Sequence, residues 1–429
     1  MPKSDGSIRL VLDCSSPRGS SVNDGIEKSE YSVTYAKFDD AVDIVRSLGK
    51  GSFMAKLDIK HAFRICPINP LDWGLMGSKF KGKYFIDIRL PFGLRSSPFI
   101  FNTVADAFHW ILVHKGYIEH SIHYLDDFFF ANSTNSLCQI DLENAEYIFD
   151  CIKIPLAMDK KEGPSQVITF LGIEIDTSVM VLRLPQDKLR KAKDLISEWV
   201  DKSSCSKQDL LSLIGFLSFA CKVVKPGRMF LRRLIDLSSQ AKELFHFIHI
   251  NKEAKKDINW WHNFLDSWHG GSVFPESFCE ASALQLYSDA SFCGIGGFFN
   301  GRWFAIPIPL KVPQNITFLE IAAVKACIQV WSTLLMNKQI WINTDNLAVV
   351  HIWTKGSCKD PQIMAVVRSL FLLLTTFNIN IQFCHVPGKN NYYADLLSRL
   401  QISQFLEICP WASPSPDHVP PSVWHTSDV

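Results

Sequence analysis

Ile122-His123-Tyr124-Leu125-Asp126-Asp127-Phe128-Phe129-Phe130 sets two adjacent carboxylates between apolar, β-prone residues. Burying charge of one sign is costly without compensation, and metal cations are the usual compensation for paired acids. The flanks read as two short strands with the acidic pair at or near their turn, which would present both carboxylates at one point. In Met54-Ala55-Lys56-Leu57-Asp58-Ile59, period-2 alternation puts Asp58 on the face opposite Leu57 and Ile59. Three carboxylates converging on two Mg²⁺ ions is the layout of a phosphoryl-transfer site. Alone, an Asp-Asp doublet in an apolar run is more often a turn, and it is the neighbouring motifs that shift the balance.

The chain of 429 residues suggests two to four domains at about 150 residues each. With 47% hydrophobic and 20% charged residues it can bury several cores and is not a disordered protein. Its 12 cysteines include no CxxC pair, so neither a zinc ribbon nor a disulfide framework is signalled. Reduced thiols, a polar amino terminus and an apolar stretch around Leu370 to Phe377 too short to cross a bilayer point to a soluble intracellular protein with no membrane partner. Cytoplasm and nucleus are not distinguished. The net charge of +1 hides an asymmetry, because residues 183–256 hold sixteen Lys and Arg against eight Asp and Glu. A nucleic-acid backbone is one natural partner for such a block, and a solvated helical face is the other reading.

Four regions follow from the patterning, with an α+β multidomain fold. Residues 1–180 mix strands, turns and a few helices around the acidic doublet, with a helix over Leu137–Ile152 and a strand over Ile168–Ile175. Residues 181–282 are helical: Asp187–Val200 is amphipathic, and Ser206 with Asp209 offers a capping box for a helix reaching Ala220. Pro226-Gly227 breaks the next segment, helix resumes to about Trp268, and Gly270-Gly271 reads as a linker. Residues 283–402 change rhythm, with strands at Leu284–Ser288, Gly294–Phe299 and Arg302–Ile308, the last two joined by the hairpin turn Asn300-Gly301. Helix, strand, helix, strand and helix then follow over Phe318–Met336, Ile340–Thr344, Pro361–Phe377, Ile379–Val386 and Tyr392–Leu400, which makes an α/β mixed sheet. Residues 403–429 read as a Pro/Ser-rich disordered tail.

The third region carries its own acids. Asp289 follows the first strand, Glu320 lies in the first turn of the long helix, Asp345 ends the fourth strand and Asp395 begins the last helix. Singly, each reads as a cap or a surface charge, since Glu320 and Asp395 lie where a helix dipole favours anions. Jointly, a four-carboxylate cluster would again hold two Mg²⁺.

In order along the chain stand Leu57-Asp58-Ile59-Lys60-His61-Ala62-Phe63, Leu90-Pro91-Phe92-Gly93-Leu94-Arg95-Ser96-Ser97-Pro98, Tyr124-Leu125-Asp126-Asp127 and Phe170-Leu171-Gly172. After them come Tyr287-Ser288-Asp289-Ala290-Ser291, Glu320, Thr344-Asp345-Asn346 and Val386-Pro387-Gly388-Lys389-Asn390-Asn391 leading to Ala394-Asp395. Over residues 1–402 the chain resembles a retroelement reverse transcriptase followed by a ribonuclease H domain. Finer features resemble DIRS-type retrotransposons: Leu12-Asp13-Cys14-Ser15-Ser16-Pro17, Ser21-Val22-Asn23-Asp24-Gly25-Ile26, Pro226-Gly227-Arg228 and Phe230-Leu231-Arg232-Arg233-Leu234.

The resemblance implies fingers and palm over 1–180, a helical thumb and connection over 181–282, and a ribonuclease H-like mixed sheet over 283–402. It implies RNA-directed DNA polymerase activity with degradation of RNA in RNA–DNA hybrids, two Mg²⁺ (or Mn²⁺) per active site, and RNA template, DNA primer, hybrid and dNTPs as partners. By the same resemblance Asp58, Asp126 and Asp127 hold the polymerase metals and Asp289, Glu320, Asp345 and Asp395 those of the nuclease. Phe63 would exclude a ribose 2′-hydroxyl, Arg9 and Lys3 would grip the triphosphate, and Phe92-Gly93 would lie under the incoming nucleotide. Lys161, with Lys160 close behind, would protonate pyrophosphate, and Phe170-Leu171-Gly172 would hold the primer end. His385 is given no role. The chain begins within the fingers of such polymerases and ends before any recombinase, so a catalytically silent or nuclease-only remnant that binds nucleic acid is the alternative.

Overall fold

The structure, a computed structural model, describes residues 10–268, 270–273, 284–336, 338–377 and 379–424. It divides into two compact units, Met1–Pro185 with Gly271–Phe274 and Gln186–Gly270 with Pro275–Val429.

In the first unit, α1 (Phe38–Leu48) starts where Asp40 accepts the Lys37 N–H at 2.7 Å and stops at Gly49, whose φ of 85° no side-chain-bearing residue adopts cheaply. Then come β1 (Phe53–Asp58), β2 (Gly77–Phe80), β3 (Lys83–Ile86), α2 (Ser97–Gly116), β4 (Ser121–Tyr124), β5 (Asp127–Asn132), α3 (Asn135–Cys151), β6 (Glu162–Ser165), β7 (Val167–Phe170), β8 (Ile173–Asp176) and β9 (Val181–Arg183). The central sheet has the order β4-β5-β1-β6 and is antiparallel throughout. Period-2 alternation in Phe128-Phe129-Phe130 sorts the rings. Phe128 and Phe130 enter the core with Leu142, Ala145 and Phe149 of α3, while Phe129 turns to the other face and meets Phe170 at 5.0 Å. Ile168–Ile175, read as one strand, is instead a hairpin of β7 and β8. Leu171 and Gly172 take φ of 45° and 77°, so the chain reverses at the glycine.

The second unit opens with α4 (Gln186–Val200), β10 (Ser204–Ser206), α5 (Lys207–Ala220), α6 (Arg232–Ser238), β11 (Phe247–His249) and α7 (Lys252–Ser267). Ser206 caps α5 by accepting the Asp209 N–H at 3.1 Å. Gly271 belongs to no linker: Gly271–Val273 (β12) pairs with β9 in the first unit's second sheet, of order β12-β9-β8-β7. The remaining elements are β13 (Leu284–Ala290), β14 (Gly294–Phe299), β15 (Arg302–Pro307), α8 (Ile316–Leu335), β16 (Gln339–Thr344), α9 (Leu347–Lys355), α10 (Pro361–Thr376), β17 (Asn380–His385), α11 (Tyr392–Ser398) and α12 (Ile402–Ile408). Their sheet runs β15-β14-β13-β16-β17, antiparallel over the first three strands and parallel at β13–β16 and β16–β17. Asn300 and Gly301 take φ of 52° and 81° in the expected tight turn.

Two expectations need correction here. The stretch from 403 is not disordered as far as Trp424. Phe405 and Cys409 are fully buried, Asp417 forms a forked pair with Arg302 at 2.7 and 2.8 Å, and it accepts the Trp331 indole N–H at 2.8 Å. Proline and serine composition concealed a strap held by a few well-spaced anchors. The longest apolar element is also not 370–377 but α8, long and apolar enough to cross a membrane yet 72% buried over its apolar window. It is the central core helix of this unit, which explains its composition.

Candidate active site

Antiparallel pairing brings the first pair of acids together. Asp58 closes β1 and Asp127 opens β5, and the two are direct cross-strand partners with hydrogen-bonded side chains. Asp126 lies in the turn before β5 and its backbone oxygen accepts the Ile59 N–H at 3.0 Å, tying the turn to β1. The preceding Leu125 has φ of 54°, a left-handed conformation costly for a bulky side chain, so the surrounding sheet holds this turn against its own preference. Burial, then the charges of Asp126 and Asp58, push Asp127 up to about 7. The nearest counter-charge is Lys160, 2.8 Å from Asp58, and it sits in a cleft of about 420 Å³ lined also by Asp127, Asp159, Lys161 and Glu162.

The candidate cation is therefore Lys160 rather than Lys161, whose ammonium is paired with Glu146 on α3. Phe63 is buried and packs on Phe92 at 5.0 Å and on Phe101 at 5.6 Å, beneath the loop that carries Gly93. Gly93, at φ of 109°, permits an approach nothing else could: an added Cβ would lie 1.9 Å from the Leu12 carbonyl oxygen. Asn23, almost fully buried, secures the same loop by donating to the Gly93 carbonyl at 2.9 Å and accepting the Arg95 N–H at 2.7 Å. Phe170-Leu171-Gly172 forms the β7–β8 turn, and Lys56 donates to the Thr169 carbonyl beside it at 2.9 Å. Lys3 and Arg9 lie outside the described residues.

In the second unit Asp289 on β13, Glu320 on α8 and Asp345 after β16 each offer an oxygen, and these lie within 4.8 Å of one another. Asp289 and Glu320 are buried, and Glu320 Oε2 has no hydrogen-bond partner. Burial and the neighbouring carboxylates push Asp289 up to about 7 and Glu320 well above its ordinary range. An orphaned carboxylate oxygen facing two more acids fits an oxygen-seeking divalent cation. Asp395 does not join the three. It pairs with Arg399 at 2.8 Å, although its charge still raises Asp289.

Ser398 escaped the sequence reading. Fully buried one turn below Asp395, it donates to Asp289 Oδ2 at 2.5 Å. Its helix reaches the strand because Gly296 has no side chain, an added Cβ there lying 2.5 Å from that of Leu397. The one signal was a polar residue at helical spacing from Asp395 among leucines. His385 contacts the cluster's edge, its Nε2 lying 3.1 Å from the Asp345 carbonyl oxygen.

Residues 1–175 match the family profile of reverse transcriptase (RNA-dependent DNA polymerase). No curated protein sequence matches the chain. Among solved structures it is similar to the foamy viral protease-reverse transcriptase dRH in complex with double-stranded DNA, at 19% identity and a TM-score of 0.51 over 90% of this chain. It also resembles the foamy viral protease-reverse transcriptase bound to double-stranded DNA, at 18% identity and a TM-score of 0.49, covering 90% of this chain and 76% of that one. The chain spans 64% of the length of the first of these, and at such identity the likeness is one of fold. Antiparallel sheet and paired aspartates thus lie within the residues, 1–175, that match the reverse transcriptase profile.

Proposed function

We propose that the chain is an RNA-directed DNA polymerase with an attached nuclease that cleaves RNA in RNA–DNA hybrids, of the DIRS-type retrotransposon group. The observation that carries the polymerase reading is the contact between Asp58 and Asp127 inside a domain of the reverse transcriptase family. A divalent cation held there, Mg²⁺ by oxygen chemistry, would supply a lowered hydroxyl pKa and neutralise phosphate charge. The chain's own residues do the rest. Asp58 and Asp127 present oxygens from paired strands, Asp126 adds field, and Lys160 places a positive charge beside Asp58 where a departing pyrophosphate would need one. Buried Phe63 and half-buried Phe92 form an apolar wall suited to rejecting a 2′-hydroxyl.

The five-stranded sheet with Asp289, Glu320 and Asp345 supports the ribonuclease H-like reading of the second unit, with Asp395 as the outer acid. A nuclease-only reading also has an observation in its favour, since three ligand oxygens converge in the second unit while Lys160 already occupies Asp58 in the first. The experiment is primer extension on an RNA template and cleavage of a labelled hybrid, run on one preparation with Mg²⁺. Extension by wild type but not by Asp126→Asn supports the polymerase; hybrid cleavage with no extension leaves the nuclease alone.

A further inference from the structure

The hairpin of β2 and β3 carries aromatic rings and lysines out into solvent. Every residue of β3 is exposed, and β2 buries nothing fully. Phe80, Tyr84 and Phe85 are 64%, 78% and 51% exposed. Lys79, Lys81 and Lys83 interleave with them, and no acid lies between Gly77 and Ile86. The register pairs Lys79 with Tyr84 and Phe80 with Lys83. By the pleat, Phe80, Lys83 and Phe85 share one face while Lys79, Tyr84 and Ile86 share the other. The Lys79 ammonium stands 5.1 Å from the Tyr84 ring centre and that of Lys81 5.5 Å from Phe80.

Lysines alone would be the usual protection of an exposed strand edge, but that leaves the rings unexplained. An apolar protein-docking face would account for the rings but not for three charges of one sign. A polyanion with flat, stackable faces accounts for both. The hairpin is also firmly rooted. Ile68 N–H donates to the Ile88 carbonyl at 3.0 Å, Leu90 N–H to the Cys66 carbonyl at 3.1 Å, and Arg64 pairs with Asp87 at 2.5 Å. Its stem thus continues the two segments that carry Phe63 and Phe92.

We propose that the hairpin Gly77–Ile86 is a platform for an unpaired RNA strand, with bases stacking on Phe80 and Phe85 of one face and phosphates meeting Lys79, Lys81 and Lys83 around it. The choice of RNA rests on the RNA-templated polymerase reading above; the stacking and charge do not. In fluorescence anisotropy with oligo-uridine and the full chain, Phe80→Ala with Phe85→Ala weakens binding by roughly tenfold per ring. Phe80→Leu with Phe85→Leu weakens it as much, because leucine has no flat π face. Changing the three lysines to serine lowers the slope of log affinity against log salt by about 2, as expected for three lost contacts to a single strand. The mutated side chains are exposed, so thermal unfolding stays at the wild-type midpoint.

Wild-type affinity in the alanine variant overturns the platform, and so does wild-type affinity in the leucine variant, which would mark a general apolar or protein-docking contact. Equal losses with oligo-deoxythymidine and oligo-uridine keep the platform and remove only the preference for RNA. Extension on a template with a one-nucleotide overhang separates the two readings. If wild type never extends but the ring variants still lose oligo-uridine, the polymerase reading fails and the platform stands. If wild type extends and the ring variants bind as wild type does, the platform fails alone.

Discussion

The two carboxylate clusters reach the same electrostatic condition by different routes. In the first unit, two acids come from the ends of neighbouring antiparallel strands, β1 and β5, and the third from the turn that joins β4 to β5. In the second, the acids come from a strand, a core helix and a strand-to-helix junction far apart in sequence. Each route leaves an acid near pKa 7, Asp127 in one and Asp289 in the other. The difference lies in compensation. Asp58 has a lysine at 2.8 Å, whereas Glu320 has an oxygen with no partner at all. The second cluster therefore depends more heavily on a cation, and the first is partly neutralised without one.

The sharpest way to break this comparison is to remove one cluster and read the other. Asp126→Asn abolishes extension, a loss of roughly a thousandfold or more if the acid holds a transition-state charge, and leaves hybrid cleavage intact. Glu320→Gln does the reverse. If either variant silences both activities, the clusters are not separate sites.

A third buried acid supplies a control. Asp257 on α7 is fully buried, yet Arg233 meets it at 2.9 Å and Arg368 of α10 at 4.0 Å. Its Oδ1 is met by the chain's own arginines, although its Oδ2, like Glu320 Oε2, has no hydrogen-bond partner; what distinguishes it is that guanidiniums, not further acids, surround it. Asp257→Asn costs the second unit only about 1 kcal/mol at pH 7, measured by chemical unfolding, because burial already offsets the attraction and Arg233 keeps Glu253 at 2.9 Å. Burial still outweighs both arginines and raises Asp257 from 3.8 to about 6. A raised folded-state value means that the stability this group contributes is full below the unfolded value and is lost as pH rises towards 6. The asparagine variant cannot titrate, so its Tm varies less than that of wild type across that window. A steeper dependence in the variant would refute the assignment.

The lysine pair sharpens the first cluster. Lys160→Ala slows nucleotide addition by something on the order of tenfold to a hundredfold, because it removes the charge beside Asp58. Lys161→Ala changes it by roughly threefold or less, since that ammonium is engaged by Glu146. Equal effects, read in single-turnover extension, would mean that the ion pairs exchange partners when nucleotide binds.

What could be read in the sequence was whatever local pattern determines. The Asp126-Asp127 turn, the strand carrying Asp58 and the Asn300-Gly301 hairpin all follow from alternation and turn chemistry within a few residues. The convergence of Asp289, Glu320 and Asp345 needed the order of strands, which alternation does not specify. The choice between Lys160 and Lys161 turned on one residue of phase in a short 3-10 turn, below what pattern can resolve. The strap through Asp417 was hidden because three contacts, to Arg302, Trp331 and the Trp303 carbonyl, hold a segment whose composition reads as unstructured. Helix α9 was missed because Asn346, which caps it, was read only as part of the acidic motif.

The smallest expected effect concerns Ser398, and it tests whether the second cluster's geometry is set from behind. The Ser398 hydroxyl fixes Asp289 Oδ2, and Asp289 offers an oxygen within 4.8 Å of those of Glu320 and Asp345. Such supporting partners are worth roughly tenfold in metal affinity at the low end of their usual range. Ser398→Ala should therefore weaken Mg²⁺ binding by about tenfold in titration calorimetry, while Ser398→Thr, which keeps the hydroxyl, should lose less. The helix itself remains docked through Leu397 against Gly296, so global stability falls only by the value of one buried hydrogen bond, about 1 kcal/mol. If alanine and threonine weaken the metal equally, the effect is steric and the hydroxyl does not orient Asp289. If alanine lowers stability by several kcal/mol with unchanged Mg²⁺ affinity, Ser398 is a packing residue and the cluster holds its shape without it.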